Sequence, residues 1–385
     1  MSKEIKNLEE TALRIKKAIK NKERVIIYGD ADLDGIAAVI ILKETIKSLG
    51  GGAEKIYLPD REKEGYGINK DALGFLSGLA PALFIALDCG ISNFEEVKLA
   101  KDLGFEVIII DHHEVLGRLP EASIIVDPKQ KDDDYHFKQF SAAAVVFRLS
   151  QLLLKDRELE SLRNNFLELA ALSTLADMMP EIEENQIIIQ DGLKNLESSW
   201  RPGIRVFFDI EEIKNYGSTR QAVQKIISAL NAGENKEHLH ESYFLLTTPS
   251  EKEAKILASM LFEKAIQKKI QVQEIVQEIE EKIKRNSPES IIFEGSCSWP
   301  FSLMGPIASK VCANFKKPTF IFKKNTEESQ GAVRMPKGLN GVTALISCQD
   351  NLETFGGHPQ AAGFRVKNSN LEELKKCLIR YFSNL

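Results

Sequence analysis

Over the first ~130 residues, short apolar runs rich in Ile, Val and Leu alternate with longer stretches of helical period. That alternation restricts the chain to βα units around a parallel sheet. Val25 to Tyr28, Ile56 to Leu58, Leu83 to Leu87, Val107 to Ile110 and Ile124 to Val126 read as strands, with the β-branched content of a sheet covered on both faces. A helix is expected from about Ile36 to the Gly50-Gly51-Gly52 stop, and the period turns helical again from Ala142 to Met179, before Pro180. Ser250 to Arg285 has no Gly or Pro and is rich in Lys, Glu and Gln, as one extended connecting helix would be. After Pro288 short strands return at Ile291 to Phe293 and Thr319 to Phe322. The expected architecture is α/β throughout: a parallel-sheet lobe over residues 1–249, a connecting helix over 250–286 and a smaller α/β lobe over 287–385.

Composition narrows the function classes. Lys and Arg number 51 against 56 Asp and Glu, a formal charge of −5, so a polyanion partner would require positive charge to be concentrated locally. Hydrophobic residues at 43% and charged residues at 28% exclude a disordered chain. The polar opening MSKEIKNLEE and the lack of any run of ~18 apolar residues argue against export or membrane spanning and for a cytoplasmic protein. Five scattered cysteines without a CxxC pair read as reduced thiols, not as a disulfide framework or zinc cage. The Lys131-Asp132-Asp133-Asp134 run reads as a solvated loop.

The chemistry gathers at strand ends. Tyr28-Gly29 leads into Asp30-Ala31-Asp32-Leu33-Asp34-Gly35, Leu87 into Asp88-Cys89-Gly90, and Ile110 into Asp111-His112-His113. In open α/β sheets ligands bind beyond the carboxyl ends of the strands, so three loops converge on one site. Asp30, Asp32 and Asp34 at i, i+2 and i+4 share a face of extended backbone, a crowding of like charge that divalent cations relieve. One of these acids would serve as a helix N-cap; three exceed that need. Of the adjacent His112 and His113, which diverge in extended backbone, at most one is expected among the ligands. A mixed Asp/His set leans towards Mn²⁺. Asp177 interrupts an apolar helix, where a buried carboxylate requires a cation or metal unless it merely caps the helix end. Gly356-Gly357-His358 fits a phosphate-approaching loop or a plain turn, with Arg334 as an anion clamp.

Asp30-Ala-Asp-Leu-Asp-Gly, Asp88-Cys-Gly, Asp111-His112-His113 and Ala176-Asp177, in this order, resemble the four motifs of the DHH phosphoesterases, most closely those of the RecJ single-stranded-DNA exonucleases. Arg61 to Gly67, Val126 to Gln130, Arg201-Pro202-Gly203, Asn231-Ala232-Gly233 and Gly356 to Gly363 extend the resemblance over roughly residues 20–370. It implies two Mn²⁺ or Mg²⁺ ions. Asp32 and Asp88 would hold one, with Asp30 completing its shell; Asp34, Asp88, His112 and Asp177 would hold the other, with Asp88 bridging. His113, beside Asp111, would touch the scissile phosphate, and Arg334, Gly356, Gly357 and His358 would grip the strand from the second lobe. The implied activity is 5′→3′ release of mononucleotides from single-stranded DNA, preferred over RNA, in repair and recombination, with helicases or single-strand-binding proteins as candidate partners. Three departures bear on substrate grip: Ser141-Ala142-Ala143-Ala144 for a Gly-containing stretch, Gly331-Ala332-Val333-Arg334-Met335 without its usual hydroxyls, and Glu234 where Arg is usual. The chain ends at Leu385 with no room for the OB-fold of larger relatives, which is the expectation for a short form. The alternatives are a DHH phosphodiesterase for oligoribonucleotides or cyclic dinucleotides, and an inactive scaffold, against which the intact Asp/His motifs argue.

Overall fold

The computed structural model describes residues 4–115, 117–155, 157, 159–215, 217–285 and 290–383. It divides into two compact units, Met1–Ala265 and Ile266–Leu385. The expected lobe boundary at 286/287 lies outside the described residues.

The first unit begins with α1 (Leu8–Asn21), β1 (Val25–Gly29), α2 (Leu33–Ser48), β2 (Lys55–Tyr57), α3 (Lys70–Leu76), β3 (Ala82–Leu87), α4 (Phe94–Asp102), β4 (Phe105–Ile110) and β5 (Ile124–Val126). Helices follow: α5 (Ala142–Leu153), α6 (Glu160–Ala176), α7 (Glu183–Leu193), α8 (Pro202–Arg205), α9 (Glu211–Lys214) and α10 (Thr219–Leu230). A short hairpin of β6 (Asn235–Lys236) and β7 (Leu239–His240) precedes α11 (Glu241–Thr247). The strands form one sheet in the order β2-β1-β3-β4-β5, every neighbour parallel. In that order the winding direction reverses between β1 and β3, which is where a doubly wound sheet opens a crevice.

The apolar runs become strands because both faces of this sheet are covered. Residues of β1, β3 and β4 alternate between two cores. Ile27, Ile85 and Ile108 pack with α2, α5 and α6, while Ile26, Phe84 and Val107 pack with α3 and α4. Helix α2 is apolar around most of its circumference, and Ile36 to Ile41 are all fully buried, the pattern of a helix enclosed on every side. The stretch expected to be helical from Ala142 to Met179 is two helices, α5 and α6. The Lys131 to Asp134 run is not wholly solvated. Asp133 is buried, accepts bonds from the backbone N–H groups of Lys6 (2.7 Å) and Tyr135 (2.9 Å), and pairs with Lys138.

Helix α12 (Glu251–Arg285) carries the boundary between the units within it. In the second unit Val272, Val276 and Ile279 of α12 pack against Ile292, Trp299, Met304, Ile307 and Ile321. This unit contains β8 (Ile292–Ser296), α13 (Met304–Phe315), β9 (Thr319–Lys324), β10 (Glu328–Arg334), α14 (Gly341–Ser347), β11 (Thr354–His358), β12 (Ala361–Lys367) and α15 (Leu371–Ser383). Its sheet runs β11-β12-β10-β9-β8, antiparallel except for the β8–β9 pair. Against the expectation of five reduced thiols, Cys348 and Cys377 form a disulfide, their Cα atoms 5.9 Å apart. They are separated by 29 residues, and the packing of α14 on α15, not their spacing, brings them together. Among the described residues, no helix is long and apolar enough to cross a membrane.

The enclosure of α2 gives a direct test by chemical denaturation. Ile40→Ala should cost about 2–5 kcal/mol of unfolding free energy as a core truncation. Leu13→Ala, at a position 69% exposed on α1, should stay within about 0.5 kcal/mol.

Candidate metal centre

The carboxyl ends of β1, β3 and β4 place their acids and imidazoles side by side in the crevice of the first unit. The β1 loop is shaped by close backbone approach: a Cβ on Gly35 would stand 2.4 Å from the Asp30 carbonyl oxygen, so only glycine lets α2 begin here. Asp32 caps α2, its Oδ1 accepting from the N–H groups of Asp34 (3.0 Å) and Gly35 (3.1 Å). The three acids do not form the single row expected of extended backbone. The chain turns into the helix at Leu33, and Asp34 is carried to a different set of partners from Asp30 and Asp32.

Asp34 is buried at the N-terminus of α5. Its Oδ2 and Oδ1 accept from the N–H groups of Ala142 and Ala143, both at 2.8 Å, and the Ser173 hydroxyl of α6 donates to Oδ1. Burial and the charge of Asp32 nevertheless push its carboxyl up to about 6. Asp30 is also buried, and its two oxygens meet the Arg61 guanidinium, which reaches Asp32 Oδ2 at 2.9 Å as well. Burial raises the Asp30 carboxyl against the opposing pull of Arg61, whereas at Asp32 the same guanidinium overcomes burial and lowers it.

Asp88 adopts a left-handed backbone (φ 61°) between β3 and Gly90, which turns its carboxylate into the crevice. Its Oδ1 lies 3.2 Å from His112 Nε2 and 3.9 Å from His113 Nδ1. Burial and the charges of Asp34, Asp32, Asp30 and Asp177 raise its carboxyl well above the ordinary range. Asp177 caps α6, with Oδ2 3.6 Å from His112 Nε2, and its carboxyl is raised by burial and by Asp34.

The two histidines, expected to diverge, have ring centroids 4.6 Å apart. They take different roles. His112 Nδ1 lies 2.7 Å from the Phe140 carbonyl, a bond that fixes this nitrogen as the donor and aims Nε2 at Asp34 (3.4 Å), Asp88 and Asp177. Burial, then the charge of His113, holds the His112 ring neutral. His113 Nδ1 lies 2.7 Å from Asp111 Oδ1. Burial lowers the imidazole, but the Asp111 carboxylate outweighs it and lifts His113 to about 9. Asp111 accepts further bonds from the N–H groups of Ile91, His112 and His113, so it stays ionised despite its burial.

Among the described residues of the first unit, three sets of donor atoms each lie within 4.8 Å of one another: Asp30, Asp32 and Asp88; Asp34, His112 and Asp177; and Asp88, Asp111 and His113. Asp88 belongs to two of them, and the 3.2 Å contact with His112 brings it against the remaining set. Carboxylates and neutral imidazole are donors suited to Mn²⁺ and Mg²⁺.

The second unit carries the other expected residues. Gly356, Gly357 and His358 are not a loop but the end of β11, turning through Pro359-Gln360 into β12. Arg334 and His358 both pair with Ala361 across β12 and so share one row of the sheet. The Arg334 Nε donates to the Ser309 hydroxyl of α13 at 2.9 Å.

Arg61 and Asp127 fall in segments that carry the resemblance but are given no role at the site by sequence reasoning, and Ser173 is not singled out at all. Asp127 is fully buried, and burial with the nearby Asp111 charge pushes it up to about 8. Its place directly after β5, a fourth strand end, was the available signal. No comparable signal marked Ser173 in its apolar helix.

A doubly wound parallel sheet with acids and paired histidines at successive strand ends, followed by a separate mixed-sheet unit, defines a class that the family comparisons identify. The DHH family N-terminal domain model matches residues 24–174, and the DHHA1 domain model matches residues 291–384. The chain therefore carries a DHH domain followed by a DHHA1 domain. Its curated relatives include the single-stranded-DNA-specific exonuclease RecJ of Bacillus subtilis, 32% identical over 97% of this chain and 48% of that protein. RecJ of Thermus thermophilus is 27% identical over 94% of this chain and 52% of that protein. The crystal structure of exonuclease RecJ bound to manganese superposes with a TM-score of 0.77 at 24% identity, over 100% of this chain and 96% of that one, and shares the fold. The chain spans about half the length of these two curated relatives.

The crowding of acids predicts that the centre is destabilising without cations. In chelator at pH 7, Asp88→Asn keeps a residue tolerant of left-handed backbone and removes one negative charge. It should raise the unfolding free energy by about 1–2 kcal/mol. Asp191→Asn, at an exposed acid of α7, should give no comparable gain in the same melts.

Proposed function

We propose that the chain is a divalent-metal-dependent phosphodiesterase that hydrolyses single-stranded DNA from the 5′ end, releasing nucleoside 5′-monophosphates. The observation that carries this reading is the pair of donor sets, Asp30-Asp32-Asp88 and Asp34-His112-Asp177, meeting at Asp88. The names of the relatives supply the substrate class.

The residues fit two Mn²⁺ or Mg²⁺ ions. Buried carboxylates raised by one another's charge, beside an imidazole held neutral, are poor as a bare cluster and good as ligands. Asp32 and Asp88 would hold one ion, and Asp34, Asp88, His112 and Asp177 would hold the other. When bound, such ions lower the pKa of a water and stabilise both the attacking and the leaving oxygen of an in-line displacement at phosphorus. Asp30, with both oxygens on Arg61, acts through that guanidinium. His113, cationic through Asp111, offers a proton and a positive charge to the scissile phosphate. In the second unit, Arg334 and His358 on one row, beside Gly356 and Gly357, grip phosphates of the strand. No Ser or Cys nucleophile is required.

With Mn²⁺, a 5′-labelled single strand of some tens of nucleotides should yield labelled mononucleotide as the first product. Turnover confined to di- and trinucleotides would replace this reading with a short-substrate phosphodiesterase, and no turnover of either would leave a scaffold. Asp88→Ala should reduce kcat/KM by roughly 10³-fold or more, ~4 kcal/mol of barrier, and abolish the rise in melting temperature on adding Mn²⁺. Single-strand affinity should fall steeply with salt, the slope of log K against log salt being about −0.7 per phosphate contact. Arg334→Gln should shallow that slope by about one contact.

A further inference from the structure

We infer that Glu64 is a positioning residue that holds the segment 58–67 as a preformed arm, delivering Arg61 and Tyr66 to the metal centre. The inference rests on the functional reading above. The arm leaves β2 after Tyr57 and has no helix or strand of its own before α3, so its shape has to come from side-chain contacts. Gly65 (φ 79°) and Gly67 (φ 87°) supply two left-handed turns on either side of Tyr66.

The root of the arm is clamped by the β6–β7 hairpin. Leu58 donates its N–H to the His238 carbonyl (2.8 Å), and its own carbonyl accepts from Asn235 Nδ2 (2.6 Å). Its far end touches the centre. Arg61 meets Asp30 and Asp32, and the Tyr66 hydroxyl donates to the Asp88 carbonyl at 3.1 Å and lies 3.2 Å from His113 Nδ1.

Glu64 is the tie between root and tip. One oxygen accepts the Asp60 N–H at 2.6 Å; the other accepts the Tyr57 hydroxyl at 2.6 Å and Asn69 Nδ2 at 3.3 Å. These donors come from three places: β2, the arm itself and the residue capping α3. Bonds to an ionised acceptor are about twice as strong as neutral ones. The anchor is rigid, because Tyr57 is buried and stacked between Tyr28 (centroids 5.5 Å) and His238 (4.4 Å). A surface glutamate that merely solvated a turn would not draw donors from a strand, a loop and a helix cap. The tie fixes Arg61 before substrate arrives, so the ordering of a long side chain and its loop is not charged against binding.

The test uses Glu64→Gln, Glu64→Ala, Arg61→Ala and the double variant Glu64→Ala/Arg61→Ala, each in the full chain. Hydrogen exchange of metal-free protein should show amides in 59–66 speeding up by about tenfold or more in Glu64→Ala, with β1 and β3 unchanged. Calorimetry with Mn²⁺ should give an affinity within about twofold of the parent's, since none of the proposed ligands is altered. On the labelled strand, Glu64→Ala should lower kcat/KM about tenfold, Glu64→Gln less, and the double variant should lose less than the product of the two single losses. Unchanged exchange in the arm, or losses that multiply in the double variant, would overturn the assignment. If Glu64→Ala does not fold, Tyr57→Phe removes one donor and should speed exchange over the same residues; an unmoved arm there overturns it equally. An inactive parent protein would defeat the functional reading alone, and the exchange data would still decide the role of Glu64.

Discussion

Repulsion among carboxylates at one end of a buried sheet is the constraint to which the first unit answers. Asp30, Asp34, Asp88 and Asp111 are all buried within a few ångströms of one another or of shared partners, and Asp32 and Asp177 close the group. Each acid is met by a device from a different element. Arg61 from the arm faces Asp30 and Asp32, the N-terminus of α5 and Ser173 face Asp34, and three backbone N–H groups with His113 face Asp111. Helix N-termini and oriented amides are fixed dipoles that cost nothing to reorganise, which is why they can sit beneath a cluster whose charge changes on binding ions. Asp88 is raised by burial and by the charges of four other acids, Asp34, Asp32, Asp30 and Asp177.

The same constraint separates two histidines that are neighbours in sequence. His112 faces three carboxylates, but burial and the charge of His113 keep its ring neutral, and with Nδ1 donating to a carbonyl its Nε2 offers a lone pair. His113 faces a carboxylate held ionised by backbone amides, so it keeps its proton. One ring suits a cation and the other suits an anion. The distinction arises because both rings are buried and only His113 has a carboxylate, Asp111, bonded directly behind it to outweigh that burial.

How much of this could be read from residues alone follows from the range of the interactions. The sheet was legible because strand period, β-branched runs and turn signals are local, and β1 to β5 fall where those signals put them. The acids were legible because a strand end is a topological position, marked by the abrupt passage from Ile and Leu to Asp and His. Their division into sets came only through the family resemblance and not from the residues' own spacing, since it depends on α2 starting at Leu33 and turning Asp34 towards α5 and α6, more than 100 residues away. The role of Arg61, and Ser173 and the Cys348–Cys377 pair altogether, escaped for the same reason: each is defined by a partner distant in sequence. For the glycines at 356 and 357 it is the local structure, a strand end in place of a loop or turn, that the residues left open. Small residues that would suit an anion loop equally suit close strand pairing, and here a Cβ on Gly357 would collide with the Ala361 carbonyl at 2.6 Å.

A net charge of −5 describes the chain but not the field that a phosphate would meet. Every donor in the three sets described lies within the first unit. Arg61, His113 and Lys129 stand among or beside these acids, with Lys129 donating its N–H to Asp127 and its ammonium pairing with Glu114 at 3.1 Å. Two divalent cations would add four positive charges to this small volume, which with Arg61 and His113 balance the six acids Asp30, Asp32, Asp34, Asp88, Asp111 and Asp177. The acids then no longer oppose a polyanion. They are the means by which a chain without a basic excess gathers cations at one place, with Arg61 and His113 supplying the charge that does not depend on ions.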